Sequence, residues 1–339
     1  MEKMRLGRTD LMVTRTSFGA LPIQRDDMDT AVSILRRAYD AGINYFDTAR
    51  AYTDSEEKLA KALGHVRHDI VISTKTQAKT KEGMLKDLDT SLKMLNTDYI
   101  DLYQLHNIPF LPDVDDPDSI YGGLLEAQKA GKIRHIGITN HRIDLAMDAV
   151  RSGAYATMQF PFCYLSGQKE IDLVNLCKET DTGFIAMKAL SGGLCGNVPA
   201  TFCFIRQYEN VVPIYGIQHM WELEEFLALD ANPPAMDEKM EQAIIDDRAT
   251  FAGEFCRSCA YCMPCPQGIN IPTAARIYWL CTRSPYQRYM TDEFYEEMQK
   301  VKDCIHCGAC AAKCPFELDT PALLAKQYDM YMEFYNEHK

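Results

Sequence analysis

The residues with the plainest chemistry are eight cysteines in two runs. CRSCAYCMPCP places Cys256, Cys259, Cys262 and Cys265 ahead of Pro266. CIHCGACAAKCP places Cys304, Cys307, Cys310 and Cys314 ahead of Pro315. Thiolates are soft, strongly donating ligands that suit iron. Three closely spaced sulfurs from one run hold three irons of a cube, and the Cys-Pro cysteine of that run reaches the other cube. The spacing therefore predicts two 4Fe–4S clusters. Cys256, Cys259, Cys262 and Cys314 would hold one, and Cys304, Cys307, Cys310 and Cys265 the other. The split is inferred, because only two residues separate Cys262 from Cys265 where the second run has three before Cys314. Zinc is the rival metal, since Cys-x-x-Cys pairs also bind it, but a zinc site takes four ligands rather than two overlapping sets. Each Cys-Pro is followed, after five more residues, by a further proline, Pro272 or Pro321, at a position where a helix can start.

A second set lies upstream, and the elements that must position it come first. Short apolar runs rich in β-branched and aromatic residues predict strands at Thr16–Leu21, Ile43–Asp47, Ile70–Thr74, Tyr99–Leu105, Ile133–Ile138, Thr157–Phe160, Phe184–Met187 and Val211–Tyr215. Helical spacing fills the gaps. Met28–Ala41 puts Ala31, Ile34, Leu35 and Ala38 on one face, and Lys81–Leu95 repeats Met84, Leu85, Leu88, Leu92 and Leu95. Alternating βα units in this number predict a (β/α)8 TIM barrel, with a doubly wound sheet as the alternative. Pro233-Pro234 marks a boundary, giving a barrel over 1–234 and a small, mostly helical iron–sulfur domain over 235–339. Barrel chemistry sits at the C-terminal ends of the strands. Asp47, Tyr52, Lys75 and His106 all follow or close such ends. Singly, a lysine after a strand is a solvated charge and a lone histidine is structural. Together they form an acid. An ammonium held by Asp47 would lower the phenol pKa of Tyr52. His106 would orient a carbonyl or share the proton, and Tyr52 would protonate the oxygen as hydride reaches carbon.

These residues and their surroundings resemble the aldo/keto reductase family. The likeness runs from about Leu6 to Leu229 through MRLGRTDLMVTRTSFGALPI, FDTARAY, VISTK, DLYQLHN, GKIRHIGITNH, MQFPFCY and GFIAMKALSGG. With its tail, the chain is similar to the branch carrying a C-terminal ferredoxin-type domain. The resemblance implies that Asp47, Tyr52, Lys75 and His106 are the catalytic tetrad. It also implies a nicotinamide cofactor, NAD(P)H, with its carboxamide near Thr139, Asn140 and Gln159. Met187, beside Lys188, stands where many members stack an aromatic residue on the nicotinamide. The stretch after the last strand, Gly216 through Gln218 to Glu222, carries no Lys or Arg. A 2′-phosphate favours those residues, so the choice among NAD, NADP and a flavin such as FMN stays open. Ser191-Gly192-Gly193-Leu194 is a candidate phosphate-facing loop.

Length and composition bound the rest. The chain has 339 residues, 47% hydrophobic, room for one large domain and one small one. No apolar run is long enough for a membrane span. The opening segment lacks the apolar stretch of a signal peptide, so the expectation is a cytoplasmic protein. A net charge of −12 speaks against nucleic acid. Cys163, Cys177, Cys195, Cys203 and Cys281 have the ordinary role of small buried apolar residues. Phe18, Arg50, Phe110, Phe162 and Tyr164 are candidates to line a substrate site, and Pro109–Pro117 is a lid or a plain surface loop. Three functions follow. The first is a carbonyl reductase or alcohol dehydrogenase for a small molecule, its clusters relaying electrons or serving structure. The second is a flavin-linked oxidoreductase passing single electrons to a ferredoxin-like partner. The third is a nucleotide-binding redox sensor without turnover.

Overall fold

In the computed structural model, which describes residues 1–251, 255–283 and 286–339, the eight apolar runs form one closed barrel. A hairpin of β1 (Lys3–Arg5) and β2 (Met12–Thr14) comes first. The barrel strands are β3 (Ser17–Gly19), β4 (Tyr45–Asp47), β5 (Val71–Thr76), β6 (Ile100–His106), β7 (Ile133–Thr139), β8 (Thr157–Pro161), β9 (Gly183–Met187) and β10 (Val211–Gly216). Every neighbouring pair is parallel, and β10 closes on β3 with Tyr215 opposite Phe18. The connecting helices follow their sequence signals. In α1 (Met28–Asp40), the Asp27 carboxylate accepts the N–H groups of Asp29 and Thr30, and Ala31, Ile34, Leu35 and Ala38 are buried. Gly42, at φ +101°, takes the chain out of that helix. Then come α2 (Ser55–Leu63), α3 (Lys81–Met94), α4 (Ile120–Lys129), α5 (Ile143–Arg151), α6 (Gln168–Glu179), α7 (Val198–Arg206) and α8 (Met220–Ala231).

The hairpin decides which end of the barrel is open. Leu6, Leu11 and Val13 pack with Tyr45, Val71, Leu102, Ile185, Val212 and Ile214, and so close the end where the strands begin. Arg8 ties the hairpin down, its guanidinium donating to the carbonyls of Gly153 and Tyr155 at 2.6 Å each. Gly7 makes the close approach, at φ +54°, where a Cβ would run into the backbone of Thr182 and Gly183. Left-handed backbone and a backbone clash both oppose a side chain there. Gly7→Ala should therefore cost roughly 3 kcal/mol, read as a lower midpoint of the barrel's unfolding transition followed by circular dichroism. An unshifted midpoint would contradict the plug.

The chain divides into two compact units. Met1–Ala189 with Phe202–Met236 is the barrel unit, and Leu190–Thr201 with Asp237–Lys339 is the other. The second is helical, with α9 (Glu238–Thr250), α10 (Ile271–Ala274), α11 (Ile277–Arg283), α12 (Asp292–Gln299), α13 (Ala309–Ala312) and α14 (Thr320–His338). Pro272 and Pro321 each lie in the opening turn of a helix, where the missing N–H costs nothing. The long α14 is the spine of this unit. Its Tyr328 hydroxyl donates to the Gln299 side-chain carbonyl at 2.8 Å, and its Tyr331 hydroxyl donates to the Tyr289 carbonyl at 2.9 Å. Among the described residues, no helix is long and apolar enough to cross a membrane.

Candidate active site and candidate metal centres

At the open end the four predicted residues come together. Asp47 ends β4, Lys75 lies next to the end of β5, and His106 ends β6. Tyr52 sits in the short turn between β4 and α2, its N–H bonded to the Ala49 carbonyl at 2.9 Å. The Lys75 ammonium donates to Asp47 Oδ1 and to the Thr48 carbonyl, both at 2.6 Å. It lies 5.5 Å from the centre of the Tyr52 ring, and that ring meets His106 edge-on at 5.8 Å. Asp47 and Lys75 are fully buried, so removing one partner leaves an unpaired charge in the protein interior.

Strand period explains helpers that the sequence argument missed. Side chains two apart point to the same side of a strand. Ser73, two before Lys75, donates its hydroxyl to Asp47 Oδ2 at 2.6 Å. Gln104, two before His106, donates its amide to Asp47 Oδ2 at 3.4 Å and to Gln159 Oε1 at 2.9 Å. Behind them, the buried Glu56 carboxylate accepts the Thr74 hydroxyl at 2.7 Å and pairs with the Arg50 guanidinium. His141, also missed, holds the Asn107 side chain at 3.1 Å through Nδ1.

The electrostatics differ from the expectation in one respect. The Tyr52 phenol pKa is raised, not lowered: burial comes first, and the nearby Asp47 charge adds to it. Lys75 does not offset this, because its ammonium is taken up by Asp47 and Thr48. The phenol therefore stays protonated across neutral pH. Burial pulls the Lys75 pKa down, while Asp47 opposes the shift. Burial, with Lys75 nearby, holds His106 at about 3, so the ring is neutral. Its Nδ1 is buried and meets no partner among the described residues. Burial likewise takes His141 well below the ordinary range, with Lys188 and His106 adding to it.

A histidine held neutral by the fold has a stability consequence. Between pH 6.5 and about 3, the unfolded chain binds a proton at His106 that the folded chain refuses. The contribution is thus intact above pH 6.5 and falls as the pH drops, by about 1.4 kcal/mol per unit. Denaturation midpoints of the barrel should decline on acidification from pH 6.5, and His106→Gln should flatten that slope. An unchanged slope in the variant would remove the argument.

The residues expected to meet a nucleotide are only partly available. Asn140 Oδ1 accepts the N–H groups of His141 and Arg142 at 2.9 and 2.8 Å, and its NH2 donates to the Ile108 carbonyl at 3.2 Å. It is committed to shaping its own loop. Thr139 Oγ1 accepts the Asn107 N–H at 3.1 Å, which leaves its hydroxyl proton to give. Met187 is half-buried against the apolar cluster, Lys188 follows at φ +57°, and Gly216 is exposed. At the start of α8, Glu222 Oε2 accepts the N–H groups of Gln218 and His219 at 2.7 and 2.8 Å. A carboxylate thus fills the spot where a helix N-terminus would receive a phosphate. Arg25 approaches Gln218 Oε1 at 3.5 Å. Ser191-Gly192-Gly193 groups with the second unit, where the half-buried Arg276 donates to the Ser191 carbonyl at 3.3 Å. Of the candidate lining residues, Phe18, Phe162 and Tyr164 have no exposed surface. Phe18 packs on Phe46, and Phe162 on Phe184, Phe204 and Tyr208. They are core.

In the second unit the two cysteine runs fold alike. Ser258 and His306, the residues just before the second cysteine of each run, have φ of +52° and +51°. Ala260 and Gly308, just after it, have +63° and +71°. Left-handed turns at matched positions wind each run inward, at a local cost of about 1 kcal/mol for each non-glycine. The result is two cavities. One is lined by Cys256, Cys259, Cys262 and Cys314. The other is lined by Cys265, Cys304, Cys307 and Cys310, with Cys262 at its edge. The Ser258 N–H lies 3.4 Å from Cys256 Sγ. Burial, then the charges of Cys256 and Cys259, pushes the Cys262 thiol up to about 12. Four thiols around one space form a donor set whose chemistry fits an iron–sulfur cluster.

Comparisons with known proteins agree on both halves. The aldo/keto reductase family matches residues 16–198, and the 4Fe-4S dicluster domain matches 255–319. The chain is similar to the uncharacterized oxidoreductase YqkF of Bacillus subtilis (strain 168), 26% identical and covering 72% of this chain and 83% of that one. It is also similar to the L-galactose dehydrogenase of Arabidopsis thaliana, 31% identical and covering 57% and 67%. Among solved structures, an aldo-keto reductase from Klebsiella pneumoniae in complex with NADPH shares the fold. Its TM-score is 0.63 at 21% identity, over 73% of this chain and 95% of that one.

Proposed function

Because the chain belongs to the aldo/keto reductase family, we propose that its barrel interconverts a small carbonyl compound and the corresponding alcohol, with a nicotinamide dinucleotide as the hydride partner. One observation carries this: a protonated phenol, Tyr52, stands beside a buried Lys75–Asp47 pair and a neutral imidazole at the open end of the barrel. Bound there, a reduced nicotinamide supplies hydride. The protein's own residues do the rest. Ser73 and Gln104 fix the Asp47 carboxylate. Asp47 and Thr48 fix the Lys75 ammonium. His106 carries one N–H. Placed on Nε2, it donates to the carbonyl oxygen and leaves Nδ1 as an unpartnered acceptor. Tyr52 holds its proton at Oη until negative charge develops on that oxygen, then gives it up.

The Thr139 hydroxyl and the Gln159 amide suit a carboxamide, whereas Glu222 opposes a 2′-phosphate, so we place NADH ahead of NADPH. In the second unit, the four thiols at each cavity would hold a 4Fe–4S cluster, and such clusters supply one-electron chemistry. We propose that they relay electrons. The test is oxidation of NADH or NADPH by anaerobically purified protein against a panel of aldehydes and ketones, with iron, sulfide and flavin assayed on the same sample. Carbonyl-dependent oxidation without flavin is expected. Stoichiometric flavin with no nicotinamide turnover would overturn it.

A further inference from the structure

The two cavities differ in how they meet solvent. The four cysteines of the first are all half-buried. Leu323 and Phe316 lie in its wall, and the Arg257 guanidinium covers the Phe316 ring at 4.3 Å. At the second, Cys307 is exposed, and so are His306 and Ala309. Ile305, between Cys304 and Cys307, is 59% exposed, an apolar side chain held in water at the rim. His306 sits at φ +51° in the same turn. The charge of the segment that carries this rim runs against the rest of the chain. Residues 300–313 hold Lys300, Lys302 and Lys313 against Asp303, all exposed, in a protein of net charge −12.

We propose that the rim formed by Ile305, His306 and Ala309, with Lys300, Lys302 and Lys313 around it, is the docking surface for an acidic one-electron carrier protein. This rests on the relay proposed above and names its outer end. Electron transfer slows steeply with distance, so the exchange site is where a cysteine ligand reaches the surface. An exposed isoleucine beside that ligand supplies an apolar centre, and the lysines supply a rim that steers an acidic partner. The cluster that Cys265, Cys304, Cys307 and Cys310 would hold would exchange a single electron with the carrier's redox centre, one being oxidised and the other reduced, with no bond made or broken.

The experiment uses the full-length holoprotein, reduced anaerobically and mixed in stopped flow with an oxidised, acidic plant-type 2Fe–2S ferredoxin. Cluster reoxidation is followed by absorbance, and the same reaction is run with oxidised methyl viologen. The rate constant with ferredoxin should fall about tenfold from low to high ionic strength. The Lys300→Glu, Lys313→Glu double variant should lose about tenfold at low salt and most of the salt dependence. Its iron content should be unchanged, and its rate with viologen, a dication, should not fall. A double variant matching wild type in rate and salt slope overturns the docking surface and leaves the relay standing. Clusters that neither ferredoxin nor viologen reoxidises overturn the relay itself, and the surface with it.

Discussion

Tyr52→Phe should abolish carbonyl-dependent turnover, lowering kcat about 10³-fold, while iron content and the barrel fold stay as they were. The magnitude is that of a general acid removed from an otherwise intact site. The substitution is conservative in space. The ring that meets His106 at 5.8 Å and lies 5.5 Å from the Lys75 ammonium remains. Only the hydroxyl goes. The alternatives separate cleanly. If Lys75 or His106 were the proton donor, the phenylalanine variant would keep most of its rate. The neutral His106, whose pKa is about 3, has no spare proton at working pH. Lys75 has its ammonium bonded to Asp47 and Thr48. The measurement is steady-state turnover with the best carbonyl substrate, alongside nucleotide binding. Unchanged binding with lost kcat assigns the loss to proton transfer. A fully active variant would end the tetrad argument. Because burial raises the phenol pKa, reduction should also show no loss from Tyr52 ionisation as the pH climbs through the neutral range.

The sequence carried the barrel because each strand was short, apolar and bounded, and because eight such runs in series leave few other closures. That Asp47, Tyr52, Lys75 and His106 would come together was legible for a related reason: the rule that barrel chemistry sits at strand ends turns four scattered residues into one place. What was not legible depends on three-dimensional burial. A lysine near a tyrosine promised a lower phenol pKa, but the promise assumed an uncommitted ammonium. Asp47 claims it, and desolvation then governs Tyr52. Ser73 and Gln104 were within reach of reasoning, since they lie two residues before Lys75 and His106 on their strands. Phe162 and Tyr164 looked like mouth residues because they follow a strand, yet the chain there turns into the aromatic core. Leu190–Thr201 grouped with the second unit without any compositional mark. The left-handed turns at Ser258 and Ala260 had none either, since serine and alanine carry no preference for positive φ.

The crossed assignment of cysteines makes the other large prediction. Cys314 belongs to the second run in sequence but lines the first cavity. Cys265 belongs to the first run but lines the second. Cys314→Ala should therefore remove the same cluster as Cys256→Ala, and Cys265→Ala the same cluster as Cys304→Ala. Each variant should fall from about eight irons per chain to about four, with sulfide in parallel. The paramagnetic resonance of the reduced protein reports which cluster survives. The spectra of the Cys314 and Cys256 variants should coincide, and should differ from the coincident pair given by Cys265 and Cys304. The shared edge at Cys262 sharpens the test, because it touches both cavities. Cys262→Ala should remove the first cluster and disturb the second. Were the Cys314 variant to pair with Cys304 instead, each run would be filling its own cube and the crossing would be wrong. Were the protein to hold zinc at two per chain, the cavities would be ordinary tetrahedral sites. Carbonyl turnover should survive each of these cysteine losses, because hydride transfer moves both electrons together and the tetrad belongs to the other unit. Electron exchange with a one-electron carrier should not survive loss of the second cavity's cluster. That divergence, turnover kept and exchange lost, is what separates a reductase carrying an electron relay from a reductase whose tail serves structure alone.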